Sequence, residues 1–238
     1  MVITVIGELC DDIFVYGDVN RLSPEAPVPV FVPSHKDTNL GMAGNVVNNL
    51  KSMDRNLEIN FIYQKEKITK TRYVEDKSNH MFIRIDDNNH IAKLDLNEEQ
   101  LNIIKNSDAV IISDYDKGFL TEIVIEQIAR TAPFVIIDTK KKLSTQTVEQ
   151  FDFIKLNLHE YMNFTNEVKE TQTHKLIVTL GSNGAKYMDT IYRSPDPKET
   201  IDVSGAGDTF TAAFTLNYLK TKSVSDAITF ANEMAAIV

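Results

Sequence analysis

Two glycines and a carboxylate, Gly205-Ala206-Gly207-Asp208, stand between an extended piece, Ile201-Asp202-Val203, and an amphipathic segment carrying Phe210, Ala213, Phe214 and Asn217. Glycines let a backbone approach a ligand closely, and the unpaired N–H groups of a first helical turn surround an anionic oxygen. A phosphate fits such a place. Asp208 is electrostatically awkward beside an anion unless it accepts a proton, and a hydroxyl nucleophile would supply one. The same Asp near a helix start also serves the helix dipole with no chemistry at all.

The elements that must position these residues read as a parallel α/β sheet. Val2 to Ile6 is a β-branched run ending at Gly7, a buried first strand followed by a turn. Pro24, Pro27, Pro29 and Pro33 forbid a helix, and Val28, Val30 and Val32 alternate with them as an edge strand or arm. Ala43, Val46, Val47 and Leu50 predict a helix starting near Gly44-Asn45. From Ile59 to Ile91, short strands with polar turns read as a small β-flap off the main sheet. Then helix and strand alternate: helices over Glu98 to Asn106 and Thr121 to Arg130, and strands at Ala109 to Ile112, Phe134 to Ile137, Phe153 to Leu156 and Leu176 to Leu180. Helical period returns over Asp208 to Leu219 and Ser225 to Val238. Strands alternating with helices imply a mostly parallel sheet covered on both faces, with ligands beyond the carboxyl ends of its strands.

Composition narrows the partners. A chain of 238 residues with 42% apolar side chains supports one main core. Its single cysteine, Cys10, forms no internal disulfide, and no apolar run approaches the roughly 20 residues that cross a bilayer. With no leader pattern at Met1, a cytoplasmic protein is the expectation. A formal charge of −9 argues against nucleic acid. Basic residues nonetheless gather from Lys65, Lys67, Lys70 and Arg72 to Arg84, which fits a locally held anion or a solvated strand pair. There is no G-x-x-x-x-G-K-[ST], no H-R-D-x-x-x-x-N and no G-x-G-x-x-G after the first strand, which disfavours P-loop enzymes, protein kinases and Rossmann dehydrogenases.

Asp202 to Asp208 resembles the carboxy-terminal signature of the PfkB/ribokinase family of carbohydrate kinases. Asn157-Leu158-His159-Glu160 resembles that family's N-x-x-E element, Thr179-Leu180-Gly181-Ser182-Asn183-Gly184 its nucleotide-binding turn, and Gly41-Met42-Ala43-Gly44-Asn45 its sugar loop. Within the family, Gly17 with Arg21-Leu22-Ser23-Pro24-Glu25-Ala26-Pro27-Val28-Pro29-Val30 is similar to the heptose 7-phosphate kinase domain of bifunctional ADP-heptose synthesis enzymes. So are Ile68-Thr69-Lys70-Thr71-Arg72, Ile83-Arg84-Ile85-Asp86, Ser113-Asp114-Tyr115-Asp116-Lys117-Gly118 and Ile137-Asp138-Thr139-Lys140. The chain departs from that pattern at Glu8, where Asp is usual, at Met42, where a second glycine is usual, and at Lys155-Leu156, where Thr-Pro is usual. A stretch between Leu57 and Ile68 and the final elements of relatives have no counterpart, so a shortened form is expected.

The resemblance implies one ribokinase-like domain over 1–238 with lid segments at about 13–40 and 64–92. It implies phosphorylation of a sugar or sugar phosphate by ATP, with D-glycero-D-manno-heptose 7-phosphate as first substrate and its 1,7-bisphosphate as product. The alternatives are a kinase for another sugar or nucleoside, and a degenerate homologue that binds a sugar phosphate without catalysis. Asp208 would be the base, and the amides of Gly205, Ala206 and Gly207 would hold the phosphoryl group. Asp12, Gly41 and Asn45 would grip sugar hydroxyls, with Asp114 also in the substrate site, and Lys70, Arg72, Arg84 and Lys117 would receive a sugar phosphate. Asn157, Glu160, Thr179, Gly181, Gly184 and Asn232 would serve the nucleotide. Glu160 would order Mg²⁺ through water, although Asn157 and Glu160 are also spaced as a helix capping box. Asp202 would help hold a monovalent cation such as K⁺. The lid would pair with that of a second subunit in a homodimer.

Overall fold

The structure is a computed structural model that describes residues 1–88, 90–164, 170–195 and 205–237. Asp202 therefore lies outside the described residues. Strand β1 (Val2–Gly7) runs almost directly into β2 (Leu9–Leu22), followed by β3 (Pro29–Met42), α1 (Ala43–Met53), β4 (Glu58–Ile62), β5 (Ile68–Glu75) and β6 (Met81–Asn88). The chain continues through α2 (Glu98–Lys105), β7 (Ala109–Asp114), α3 (Glu122–Thr131), β8 (Val135–Thr139), α4 (Thr145–Val148), β9 (Phe153–Asn157) and α5 (Leu158–Phe164). It ends with β10 (Leu176–Thr179), β11 (Ala185–Tyr187), β12 (Thr190–Tyr192), α6 (Ala206–Thr221) and α7 (Val224–Ala235).

The main sheet has the order β12-β11-β10-β9-β8-β7-β1-β4. All pairs from β4 to β10 are parallel, while β11 and β12 add an antiparallel hairpin at one edge. Alternation along each strand sends consecutive side chains to opposite faces. Val110 and Ile112 join the core beneath α2 and α3 with Ile104, Ile125 and Ile128. Ile111 and Ile136 join the core beneath α1, α6 and α7 with Leu50, Phe210, Phe214 and Ile228. Among the described residues no helix is long and apolar enough to cross a membrane.

The second sheet has the order β3-β2-β5-β6 and forms the lid. Strand β3 is an edge, as its prolines require. Its partner β2 extends continuously from Leu9, which no local signal had marked as strand. The flap reading of Ile59 to Ile91 needs correction: Glu58–Ile62 pairs in parallel with β1 at the edge of the main sheet, and only β5 and β6 stand in the lid. The β-branched and aromatic Ile59, Phe61 and Ile62 pack on that sheet because β1 offers its open edge.

Candidate active site

The start of α6 lies where the carboxyl ends of the parallel strands converge. Gly205 precedes it with φ of 98°, a left-handed backbone, and a Cβ there would come within 2.6 Å of Asn45 Nδ2. Among the described residues no side chain caps the helix, and the first α6 backbone bond is Thr209 N–H to Gly205 O at 2.9 Å. The amides of Ala206, Gly207 and Asp208 thus precede the helical ladder, as an anion site requires. Helix α6 begins at Ala206, two residues earlier than its apolar spacing suggested, because those glycines belong to its cap and first turn.

Asp208 is buried within that first turn. Its Oδ2 accepts from Asn45 Nδ2 at 3.1 Å and its Oδ1 from the Tyr115 hydroxyl at 2.7 Å. Burial, followed by the charge of Asp138, pushes its carboxyl up to about 6, while Tyr115, Asn45 and Lys155 hold it back. A carboxyl in that range is a proton acceptor near neutral pH. Burial and the Asp208 charge keep Tyr115 protonated, so it is a donor to this carboxylate.

Loop 114–118 brings Tyr115 to the site because Glu8 clamps it. One Glu8 oxygen accepts from Tyr115 N at 2.9 Å and the other from Lys117 N at 3.0 Å. Glu8 is fully buried, and that burial, with Asp114 nearby, raises its carboxyl above the usual range. Asp114 is equally enclosed. It accepts from Thr139 Oγ1 at 2.6 Å and Lys141 Nζ at 2.7 Å, so its carboxylate supports the loop from within.

The sugar-loop residues meet at the root of the lid. A Cβ on Gly41 would lie 2.4 Å from Asp12 Oδ2, which explains a glycine there. Asp12 Oδ1 is bound by Arg72 Nη1 at 2.6 Å, and the Arg72 guanidinium stacks 5.0 Å from the Phe14 ring. Met42, standing where relatives carry glycine, caps α1 with φ of 56°. That backbone costs roughly 1–3 kcal/mol for a non-glycine residue, and burial of its side chain contributes about as much in return.

The four expected phosphate ligands do not share one condition. Arg72 is buried and committed to Asp12, and Arg84 makes a two-pronged contact with Asp86 at 2.6 Å on each arm. Lys70 Nζ instead sits 5.3 Å from the centroid of the Tyr115 ring, with Lys140 Nζ 4.6 Å from the same ring. Burial lowers the Lys70 pKa, against the opposing charges of Cys10 and Asp12, and the charges of Arg84 and Lys140 act in the same direction as burial. Lys117 contributes its backbone amide to Glu8.

At the far end of the sheet, Gly181 and Gly184 bracket a 3-10 turn with φ of 61° and 89°. A cavity of about 590 Å³ beside it is lined by Leu180, Ser182, Asn183, Ile191, Arg193 and Ser194. Thr179 Oγ1 bonds Leu156 O at 3.3 Å, and Asn232 Nδ2 bonds Tyr192 O at 2.9 Å, so both tie elements together rather than line the cavity. Asn157 and Glu160 form the reciprocal capping box: Asn157 N donates to Glu160 Oε2 at 2.7 Å and Glu160 N to Asn157 Oδ1 at 2.8 Å. The box engages one of the two Glu160 carboxylate oxygens. Asn157 is exposed and Glu160 partly so.

Sequence reasoning missed Tyr115, Lys140, Arg193 and the buried pair Asp138–Lys155 as site residues. The pair had a signal, since a lysine inside the strand run Phe153 to Leu156 is out of keeping with a strand covered on both faces.

A model of the pfkB family carbohydrate kinases matches residues 45–238. The bifunctional protein HldE of Helicobacter pylori strain J99 is 31% identical over 287 residues, covering 99% of this chain and 62% of that protein. The HldE of a Nitratiruptor species is 30% identical over 280 residues, covering 99% and 61%. The chain thus spans about three-fifths of the length of these curated relatives. In fold it is similar to an Arabidopsis thaliana ribokinase complexed with ribose and ATP (TM-score 0.71, 16% identity, 98% of this chain and 91% of that one). It is also similar to a Methanocaldococcus jannaschii nucleoside kinase (TM-score 0.69, 18% identity, 100% and 91%). With a ribokinase-like sheet, an uncapped Gly-Ala-Gly-Asp helix start and the family match across most of its length, the chain belongs to the PfkB family of carbohydrate kinases.

Proposed function

We propose that the protein transfers the γ-phosphoryl group of ATP to a hydroxyl of a sugar phosphate, with D-glycero-D-manno-heptose 7-phosphate as the first substrate to test. The observation that carries this reading is the Asp208 carboxylate, buried beside first-turn amides with no partner among the described residues and bonded to Tyr115, whose ring has Lys70 of the lid and Lys140, just after β8, beside it. The sugar hydroxyl displaces one of the two hydrogen-bond donors on Asp208 and gives it a proton. Its oxygen attacks the γ-phosphorus, the bond to the bridging oxygen of ADP breaks, and the new phosphoester leaves with the sugar. The amides of Gly205, Ala206 and Gly207 face the charge that develops on the phosphoryl oxygens. Positioned proton transfer contributes about 10² to 10⁴ in rate, and an anion hole a comparable factor.

Mg²⁺ would be ordered by Glu160, through water. Glu160 offers a carboxylate oxygen beyond its capping bond, and no group of three or more His, Cys, Asp or Glu among the described residues forms a cage. That suits an ion held mainly by water and nucleotide phosphates, whose charge it would offset. The monovalent cation expected at Asp202 concerns a residue outside the described set.

The unneutralised pair Lys70 and Lys140 favours an anionic sugar, because among the described residues neither has a carboxylate within ion-pair distance. The test is ADP formation with heptose 7-phosphate, unphosphorylated heptose, ribose and nucleosides. Preference for the phosphorylated heptose by tenfold or more in kcat/KM supports the reading. Equal use of the two heptoses removes the sugar-phosphate assignment and leaves a general sugar kinase, and no turnover with any acceptor favours a non-catalytic binder.

A homodimer through the lid is part of the proposal. Register and alternation put Asp12, Lys70, Arg72 and Arg84 on one lid face and Ile13, Val15, Tyr73, Ile83 and Ile85 on the other. Ile83 and Ile85 are about half exposed, so a second lid has apolar surface to cover.

A further inference from the structure

Lys155 is an anomaly of position. It follows Ile154 on β9 and therefore points, like Phe153, to the sheet face covered by α6. Its side chain is only 7% exposed, and its Nζ holds Asp138 Oδ2 at 2.8 Å. Asp138 and Lys155 are cross-strand partners on β8 and β9, and Asp138 also lies 3.4 Å from Thr211 Oγ1 on α6. The ammonium then presses against the first turn of that helix: a Cβ on Gly207 would come within 2.8 Å of Nζ. The second glycine of Gly-Ala-Gly-Asp thus leaves room for the lysine end at the helix start, and a side chain there would push the ammonium aside.

A buried ammonium is costly unless compensated, and one carboxylate satisfies one of its three N–H donors. Asp138 is the one side-chain acceptor that Nζ meets among the described residues. The next carboxylates whose charges reach it are Glu160 and Asp208, from the nucleotide side and the base side of the site. A cation set against Gly207, one residue before Asp208 in the first turn of α6, stands beside the place where a phosphoryl group would pass from nucleotide to sugar hydroxyl.

Building on the kinase reading above, we infer that Lys155 is a further catalytic residue, whose ammonium contacts the γ-phosphoryl group during transfer while Asp138 holds it in position. Neither the general base nor the amides supply a full positive charge at that point, and this lysine does. Asp138 is then a positioning residue: it fixes the ammonium at the helix start and keeps it charged.

The experiment compares wild type, Lys155→Met and the double variant Lys155→Met with Asp138→Asn, which leaves no unpaired buried charge. Calorimetry measures the binding of Mg²⁺ with ADP and of Mg²⁺ with the β,γ-imido analogue of ATP, and a coupled assay measures turnover. The inference expects roughly a tenfold to hundredfold loss of affinity for the imido triphosphate, the scale of one charge-assisted hydrogen bond, with ADP affinity within about threefold. It also expects kcat to fall at least about tenfold, while KM for the sugar holds. A folded double variant that binds both nucleotides as wild type does, or loses both equally, overturns it. A wild type that turns over sugar with such Lys155-insensitive binding keeps the kinase reading and loses this inference. Lys155-dependent preference for the triphosphate in a protein that phosphorylates no acceptor keeps the contact with the γ-phosphoryl group, but sinks the sugar-kinase reading and with it the catalytic role of Lys155. A wild type that binds neither nucleotide overturns both.

Discussion

The floor of the site and the lid above it solve opposite problems. On the floor, Asp208, Asn45, Tyr115, Asp138 and Lys155 come from five separate elements and loops, and each polar group already has a partner inside the protein. Nine consecutive residues of α6 from Asp208 to Leu216 are buried, so the helix start cannot drift. In the lid, β3 and β6 are edge strands, Val32, Ile83 and Ile85 are about half exposed, and the charged face is joined by pairs such as Arg84–Asp86 that water reaches. The contrast teaches that rigidity here is concentrated where charge must be stabilised without reorganisation. The lid, proposed to recognise and cover the sugar, is left adjustable.

The largest expected effect breaks the floor alone. Asp208→Asn should lower kcat by about 10² to 10⁴ while nucleotide binding persists, and a kcat within about threefold of wild type would remove Asp208 as base. Wild-type activity should fall as pH drops through about 6, where the buried carboxyl gains its proton. Stability should move the other way. The folded-state pKa is raised above the unfolded value, so the folded protein binds that proton more tightly, and the destabilisation is full above pH 6 and absent below about 4. The Asn variant should therefore be more stable than wild type at pH 8, by on the order of 1–3 kcal/mol, and similar to it near pH 4. Thermal melts at the two pH values decide this.

The next effect belongs to the boundary between the two regions. Lys70→Ala should raise KM for heptose 7-phosphate roughly tenfold to hundredfold and leave KM for ATP within about threefold. Equal changes in both would mean that Lys70 does not meet the sugar. Arg72→Ala should differ in kind, because it strips Asp12 of its partner and should lower thermal stability as well as sugar affinity.

A third variant tests the outer lid face. Ile83→Asp puts a charge in the apolar surface opposite Arg84 and should convert a dimer to a monomer by light scattering, with kcat changed less than about threefold. A wild-type protein that is monomeric at working concentration, with and without substrate, rejects lid pairing.

Much of this was legible in the sequence where the cause is local. The β-branched run ending at Gly7 gave the first strand, the alternation of short apolar runs with helical spacing gave the other parallel strands, and the apolar spacing after Asp208 gave the helix that carries it. Asn157 and Glu160 showed their capping spacing directly. What escaped needs three dimensions. Strand β2 owes its length to pairing with β3 on one side and β5 on the other, and β4 owes its place to the free edge of β1. The same holds for Tyr115, which reaches Asp208 across 93 residues only because Glu8 fixes its loop. Basic spacing could not tell the committed Arg72 from Lys70, since Asp12 and Arg72 meet only when β2 and β5 align.

The smallest expected effect sharpens that last distinction. Arg84 lies on the same lid face as Lys70, but its guanidinium is already bound at two points by Asp86 and is 44% exposed at the side chain. The Asp86 hydrogen bond holds its pKa above the usual value, against a smaller cost of burial, so it is charged at any working pH. To receive a phosphate it must loosen Asp86 or share the arginine between two anions, and a solvent-exposed pair of this kind contributes only about 0–1 kcal/mol in any case. Arg84→Ala should therefore leave the melting temperature within about 2 °C and raise KM for the phosphorylated heptose by less than about threefold, far below Lys70→Ala. Measured side by side, the two variants rank the lid cations. An Arg84→Ala effect as large as that of Lys70→Ala would mean that Asp86 releases the arginine when substrate arrives, and that the lid rearranges its charges on closing.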